Sequence, residues 1–342
     1  MNARGMSIFL TLLVILAVGV ALLWPQRQLS PSNIPLLDRP PITPPHSREA
    51  FQPLPPVPAL SPEKVALGER LFFDKRLSKD NSIACASCHD FSRGGSDGMR
   101  VASGIGQQSG PINTPTVFNA ALNFVQFWDG RAATLEEQAA GPVHNPLEMG
   151  SSWPEVIAKL RSDSGYQQSF AQLYPQQGIS GDSIVDAIAT YERTLITTGS
   201  RFDRFLRGDT AALNGLEQGG YRRFLDYGCA SCHQGILLGG NMYQRFGVMG
   251  DYFADRKLSA ADLGHFNVTG REEDRHVFKV PSLRNVAVTP PYFHDGSVFS
   301  LEEAVIVMGR YQLGRELSGP DVTAISTFLR TLTGEWQGST LQ

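Results

Sequence analysis

Two identical pentapeptides, CASCH, constrain this chain more than any other feature of its sequence. They occupy residues 85–89 and 229–233 and contain all four cysteines of the 342 residues. A C-x-x-C-H run is typical of covalent haem attachment, in which both thiols bind the haem and the adjacent histidine coordinates its iron. A redox C-x-x-C needs no following histidine, and a zinc site needs further ligands nearby. The sequence therefore predicts two c-type haems, held by Cys85, Cys88, His89, Cys229, Cys232 and His233.

The amino-terminal segment predicts export, which agrees with covalent haem attachment on the outer side of a bacterial membrane. Residues 7–24 form an uncharged, mostly apolar run that just reaches the length of a spanning helix. This length slightly favours an uncleaved membrane anchor. A cleaved signal peptide stays open, because residues 17, 19 and 21 are small and could form a cleavage site. Residues 25–58 hold half of the 22 prolines, a composition typical of a semi-rigid spacer. The expected location is the periplasm, at the inner membrane.

The remainder of the chain contains an internal repeat. Residues 113–143 align without a gap with residues 279–309, and 187–197 align with 324–334. With the CASCH pair, three matched blocks occur twice in the same order, which indicates a duplicated haem domain. The predicted boundaries are 1–24 for the anchor or signal, 25–58 for the linker, 59–199 for the first haem domain and 200–336 for the second.

The local patterns favour helices throughout. Apolar residues recur at helical spacing before each CASCH and in both closing segments. Ser300 and Glu303 match a capping box at the start of a helix. No sustained period-two alternation demands a sheet. The predicted fold class is therefore all-α, with two small helical haem-binding domains. A net charge of −3 gives no reason to expect nucleic acid as a partner, and homodimer formation is left open.

The repeat also predicts that the two irons differ. Met308 of the second half aligns with Pro142 of the first. Methionine is a usual second axial ligand in cytochromes c, whereas proline has no donor atom; the alternative for Met308 is a methionine that fills the core. No histidine lies between His89 and His144. Only Met99, Gln107 and Gln108 of the intervening loop could reach the first iron, so we expect that iron to be open to peroxide or oxygen.

An open iron that cleaves peroxide needs groups that move protons. Glu148 is a candidate for this role, and Gln138 could orient a bound ligand. Trp128, which aligns with His294, could relay electrons between the haems. From the residues alone, a solvated carboxylate, a surface amide and a core tryptophan are the favoured interpretations.

The chain resembles the bacterial di-haem cytochrome c peroxidase and MauG superfamily. The resemblance covers about residues 60–334 and includes GPINTPTVFN, QFWDGRA, KVPSLRN, PYFHDGS and MGRYQLGREL. It implies two cytochrome-c-like domains whose haems face each other across their interface. The first haem would react with peroxide, and the second would accept electrons from a small donor protein.

The same resemblance implies individual site residues. His89 would be the proximal ligand of the active haem, His233 and Met308 the ligands of the other, and Arg284 would meet a haem propionate. Glu148 would be the catalytic carboxylate, with Gln138 beside the distal pocket and Trp128 between the haems. The side chain of Asn113 and the carbonyls of Thr289 and Pro291 would bind calcium.

One departure from the family pattern leaves three functions open. Many classical members carry a histidine in the loop whose sequence here is VASGIGQQSGP, and MauG-type proteins lack it but place a tyrosine on the second iron. The first interpretation is a hydrogen peroxide reductase that takes electrons from a periplasmic cytochrome c or a cupredoxin. The second is a MauG-like oxidase that modifies a tryptophan or tyrosine of a partner protein. The third is a membrane-tethered di-haem electron carrier.

Overall fold

Eleven α-helices provide most of the regular structure in residues 50–342, the part of the chain that the computed structural model describes. In chain order they are α1 (Pro62–Phe72), α2 (Cys85–Cys88), α3 (Leu135–His144), α4 (Trp153–Arg161), α5 (Ser164–Leu173), α6 (Gly181–Glu192), α7 (Arg201–Leu206), α8 (Gly215–Asp226), α9 (Phe266–Thr269), α10 (Leu301–Leu313) and α11 (Gly319–Arg330). Two antiparallel pairs of short strands complete them: β1 (Tyr243–Arg245) with β2 (Val277–Lys279), and β3 (Glu335–Trp336) with β4 (Ser339–Thr340). The mostly helical character agrees with the prediction.

Each half is built on the same helix crossing. In the first half α1 packs against α6, and a Cβ at Gly68 would collide with the carbonyl oxygen of Ala187. In the second half α8 packs against α11, and a Cβ at Gly220 would collide with the carbonyl oxygen of Ala324. Ala187 and Ala324 are aligned residues of the repeat. Glycine is therefore needed at both crossings because the two backbones touch there.

The two halves have separate hydrophobic cores. The first core includes Leu71, Phe72, Val156, Phe170 and Ile184. The second includes Phe202, Phe205, Tyr221, Phe328 and Leu332. Equivalent helices begin with equivalent caps, because Thr134 accepts a hydrogen bond from the Glu137 amide and Ser300 accepts one from the Glu303 amide. The aligned segments of the two halves thus also share their local backbone geometry.

A pair of asparagines joins the halves. Asn119 and Asn285 are aligned, and both adopt the left-handed conformation, with φ of 62° and 63°. Their side-chain amides both donate to the hydroxyl of Thr197, at 2.8 and 3.0 Å. Asn119 Oδ1 accepts from the Thr197 amide, and Asn285 Oδ1 accepts from the Gly334 amide. Since Thr197 and Gly334 are also aligned, the same bond occurs once in each half.

The ends of the described chain pack on the opposite halves. Phe51 belongs to the second core, and Leu54 is only 1% exposed. At the other end, Leu341 and Trp336 pack in the first core. Phe51 and Leu54 therefore differ from the spacer expected for 25–58, because burial stabilises their apolar side chains, whereas residues 55–58 are exposed.

The predicted anchor or signal, residues 7–24, lies outside the described residues. Within residues 50–342, no helix has the length and the apolar character needed to cross a bilayer.

Residues 241–275, for which the repeat offers no counterpart, form a third hydrophobic cluster. Strand β1 pairs with β2, and Phe246, Tyr252 and Phe253 pack together with Phe278. A buried hydrogen bond of 2.8 Å between His294 Nε2 and Asp262 Oδ1 joins this segment to the second half. The cluster packs against Met308 and Trp128. The insertion therefore encloses the side of the second half that carries the predicted sulfur ligand.

Two candidate haem sites

The histidines of the two CASCH motifs have matching environments. His89 Nδ1 lies 3.1 Å from the Gly95 carbonyl oxygen, and His233 Nδ1 lies 3.1 Å from the Leu238 carbonyl oxygen. Donation from Nδ1 leaves Nε2 as the atom available to a metal. Burial lowers the pKa of His89, and it lowers the pKa of His233 to about 4. Both imidazoles are therefore held in the neutral form that binds iron.

Each of the four cysteines is half-buried beside the histidine of its motif. Burial raises the pKa of Cys85 to about 12 and that of Cys229 to about 11. Apolar, partly covered thiols next to a neutral imidazole fit a covalently attached haem. The residues present thus fit the cofactor at both motifs.

A large apolar cavity, named the second cavity after the motif it adjoins, lies beside Cys229, Cys232 and His233. Its volume is about 500 Å³, and its wall includes Cys229, Cys232, His233 and Met308. Helix α10 contributes one face at helical spacing, namely Leu301, Ala304, Val305 and Met308. An imidazole and a thioether therefore border the same cavity, as a haem with a histidine and a methionine ligand requires.

Helix α3 has a different set of side chains at the aligned positions. Leu135, Gln138, Ala139 and Pro142 stand where α10 has Leu301, Ala304, Val305 and Met308. Within the described part of the chain, the Gln138 side chain makes no hydrogen bond. By the repeat, α3 turns Gln138 and Pro142 toward the first motif, and neither is a good iron ligand.

Glu148 lies close to the first motif. Its Oε1 accepts a 2.7 Å hydrogen bond from Asn145 Nδ2. Burial raises the pKa of Glu148, opposed by the Asn145 hydrogen bond and by the charge of Arg131. The Glu148 charge also acts on the thiols of Cys85 and Cys88. The structure thus brings a carboxyl group with an elevated pKa to the first candidate haem site.

The histidine-free loop folds onto the segment that carries Glu148. The Ile105 amide donates to the Glu148 carbonyl at 2.8 Å, and a Cβ at Gly104 would collide with the Leu147 carbonyl. Gln108 Nε2 donates to the carbonyls of Ile105 and Pro146. The Met99 side chain is 52% exposed. The loop residues considered as ligands are thus exposed or bonded to backbone, and an open first iron stays a prediction.

Trp128 lies where the two halves meet. Its Nε1 donates to the Asn113 carbonyl at 3.0 Å, and its ring centroid is 6.5 Å from that of His294. Trp128 lines the second cavity although it belongs to the first half. The structure therefore brings Trp128 beside the second candidate haem site.

The three predicted calcium ligands border that cavity as well. Asn113, Thr289 and Pro291 are all in its wall. Asn113 Nδ2 donates to the carbonyl oxygens of Met99 and Arg100, which leaves its Oδ1 as the side-chain ligand. Among residues 50–342, no cluster of three or more His, Cys, Asp or Glu side chains offers a charged metal site.

Arg284 has partners other than the predicted haem propionate. It is 1% exposed, and its guanidinium forms a 2.8 Å ion pair with the buried Asp203. It also donates to the carbonyls of Ile236 and Gln52. Arg284 lines the cavity, but the charge of its guanidinium is matched by Asp203.

Sequence reasoning missed two buried ionisable residues, Glu192 and Lys279. Glu192 is 5% exposed and aligns with Leu329, which lines the second cavity. Burial raises the pKa of Glu192 to about 8. The signal available in the sequence was the charge itself, because a carboxylate replaces leucine on the apolar face of a closing helix. Lys279 aligns with Asn113 and is 7% exposed.

Known proteins match both the sequence and the fold. The family described as di-haem cytochrome c peroxidase matches residues 62–211. Cytochrome c peroxidase Ccp of Escherichia coli is 51% identical over 292 residues, which are 85% of this chain and 62% of that protein. Cytochrome c551 peroxidase of Nitrosomonas europaea is 47% identical over 84% of this chain and 85% of its own length. The methylamine utilization protein MauG of Methylorubrum extorquens is 37% identical over 77% and 72%.

A solved structure agrees with these relationships. A MauG-like protein associated with microbial copper homeostasis has a TM-score of 0.74 and 30% sequence identity, covering 84% of this chain and 95% of that one. The expected family is thereby confirmed. The chain belongs to the di-haem cytochrome c peroxidase family.

Proposed function

We propose that this protein reduces hydrogen peroxide at a haem attached to Cys85 and Cys88, with electrons that enter through a haem attached to Cys229 and Cys232. The observation that carries the proposal is the difference between aligned positions of α3 and α10. The second cavity has a thioether at Met308, and the corresponding position near the first motif has proline. The peroxidase names of the relatives at 47–51% identity support the same activity.

The chain's own residues supply the proton chemistry at the first site. A haem with a proximal histidine and an open position supplies peroxide binding and the electrons for O–O cleavage. The Glu148 carboxylate accepts the proton of the inner peroxide oxygen and returns it to the outer one, which leaves as water. Burial raises the pKa of Glu148, which strengthens its carboxylate as a proton acceptor. Asn145 holds the carboxyl group in place, and Gln138 offers an unengaged amide to orient the substrate.

The second site suits electron entry. His233 and Met308 would hold the second haem, which would supply electron exchange without substrate binding. Trp128 lies between this site and the first half, which suits a relay. The donor is a small periplasmic cytochrome c or cupredoxin. The amino-terminal segment would tether the protein to the inner membrane.

A calcium ion completes the proposal at the contact between the halves. Asn113 Oδ1 and the carbonyls of Thr289 and Pro291 are hard oxygen ligands of the type calcium prefers. The ion would fix the contact on which Trp128 depends, because the Asn113 carbonyl accepts the indole hydrogen bond.

One observation favours a second candidate function. The loop of residues 101–111 contains no histidine, as in MauG-type proteins. The first site, with its haem held by Cys85, Cys88 and His89, would then support oxidation of a tryptophan or tyrosine of a partner protein. An electron carrier without turnover remains the third function, and it requires both irons to be six-coordinate.

Absorption and EPR spectra of the as-isolated ferric holoprotein separate these classes. We expect one high-spin and one low-spin haem, and a high-spin signal that responds to peroxide without prior reduction. Two low-spin haems that are inert to peroxide would contradict both enzyme functions. A steady-state assay with reduced cytochrome c then tests the first function against the second. Absence of turnover, together with oxidation of a co-expressed protein, would favour the MauG-like reaction.

A further inference from the structure

Lys279 is a buried cation that borders the second cavity. It ends strand β2 and is 7% exposed. Its backbone amide donates to the Trp128 carbonyl at 2.9 Å, which holds the residue at the contact between the halves. Lys279 lines the same cavity as His233 and Met308.

Nothing among residues 50–342 neutralises this ammonium group. The Lys279 Nζ makes no hydrogen bond and no ion pair with the described chain. Burial lowers the pKa of Lys279 to about 8, and no carboxylate opposes that effect. A buried charge without a partner is costly, so proteins pair such groups with an opposite charge. The occupant of the cavity should therefore bring a negative charge to Lys279.

The other cation of the cavity wall does not need that charge. Arg284 already forms a 2.8 Å ion pair with Asp203, and its remaining donors bind backbone carbonyls and a serine hydroxyl. A carboxylate entering the cavity would find Arg284 compensated and Lys279 uncompensated. Lys279, and not Arg284, is therefore the cation of the cavity wall that needs an anionic partner.

We propose that the Lys279 ammonium pairs with a propionate carboxylate of the haem held by His233 and Met308, and that this charge raises the haem's reduction potential. The inference rests on the proposed function, because it requires a haem at the second motif. A positive charge close to a haem disfavours the ferric state, which has one positive charge more than the ferrous state. Lys279 is thus a positioning residue that acts on electron entry through the cofactor.

The reduction potential of the low-spin haem tests this pairing without any activity measurement. The holoprotein variant Lys279→Met is compared with wild type by spectroelectrochemical titration. At the wild-type midpoint, we expect the ratio of oxidised to reduced low-spin haem to rise roughly tenfold in Lys279→Met. Lys279→Arg keeps the charge and should stay close to wild type. Lys257→Met removes an exposed lysine of the same half and should leave the ratio unchanged.

The outcomes are distinct. A Lys279→Met protein that keeps two haems and the wild-type potential would overturn the inference. Lys279→Gln is a second neutral variant and should show the same fall in potential. Loss of the second haem from both neutral variants but not from Lys279→Arg would support the pairing, whereas loss from all three would contradict an electrostatic role. A wild-type protein without two c-type haems would instead contradict the proposed function.

Discussion

The two halves share a scaffold and differ in the side chains that face the haem sites. Both cross their helices at a glycine against an aligned alanine, Gly68 on Ala187 and Gly220 on Ala324. Both orient the CASCH histidine through Nδ1. The differences occur on the helix that follows the Asp-Gly turn, where Gln138 and Pro142 replace Ala304 and Met308, and on the closing helix, where Glu192 replaces Leu329. A few positions can therefore decide whether a haem site exchanges electrons or acts on a substrate.

The largest expected effect comes from giving the first half the second half's ligand. Pro142→Met should convert the high-spin haem to a low-spin form, because a thioether would occupy the position that peroxide needs. We expect peroxide consumption to slow by roughly 1,000-fold, which corresponds to about 4 kcal/mol of activation free energy. Stopped-flow mixing with peroxide and EPR of the resting protein measure both changes.

Pro142→Ala is the matched control, because alanine offers no ligand. It should keep the high-spin haem and most of the rate. If Pro142→Met remained high-spin, the equivalence of the two helix faces would be wrong.

The next largest effect is expected at Glu148, the proposed acid–base group of the first site. Glu148→Gln should slow peroxide consumption by roughly 100-fold or more, as expected for loss of a positioned acid–base group. The spectra should be unchanged, since Glu148 does not coordinate iron. Glu303→Gln, which alters an exposed carboxylate of α10, should have no effect on the rate. An unaltered rate in Glu148→Gln would exclude Glu148 as the acid–base group.

The third effect concerns Glu192, whose burial should make the free energy of unfolding depend on pH. Burial raises its pKa in the folded state to about 8, above the unfolded value of about 4.3. Stability is then greatest below the unfolded pKa and falls as the pH rises toward 8, because only the folded state still holds the proton. Glu192→Gln should remove this dependence, so the free energy of unfolding of the variant should rise relative to wild type by on the order of 3 kcal/mol between pH 5 and pH 8.

Denaturant unfolding of the holoprotein at the two pH values measures the difference. Glu69→Gln changes an exposed carboxylate of α1 in the same half and should show no such trend. Equal stabilities of wild type and Glu192→Gln at both pH values would mean that Glu192 is ionised when buried.

The smallest effect is expected at Met99. Its side chain is half exposed and lies in the loop near Cys88. Met99→Leu should leave the EPR spectrum and the rate of reaction with peroxide unchanged, because we expect no sulfur ligand on the first iron. A new high-spin signal in Met99→Leu would show that methionine closes the first site in the resting protein.

Local patterns predicted much of this fold. The cysteine spacing and the cap at Ser300 each involve residues a few positions apart. The gapless repeat is found by comparing the sequence with itself, so all three features can be recognised without three-dimensional information. Met308 and His233 line the same cavity, and the assignment of Met308 as the second iron ligand, which rests on the repeat, stays a prediction.

Long-range contacts were beyond the same reasoning. The ion pair of Arg284 with Asp203 joins residues 81 positions apart in two unrelated segments, and no local pattern relates them. The insertion of residues 241–275 has no counterpart in the repeat, so its packing against Met308 could not be inferred. The pairing of Lys279 with Tyr243 of that insertion could not be inferred either.

The packing of Trp336 and Leu341 in the first core determines when that core can close during folding. Leu341 and Trp336 complete the core of the first half, although they follow the whole second half in the chain. That core therefore cannot close before residues 336–341 have been synthesised, so a loosely packed first half would remain accessible to the machinery that would attach haem at Cys85 and Cys88. Truncation by a few residues at the carboxyl terminus would then damage the distant end of the molecule.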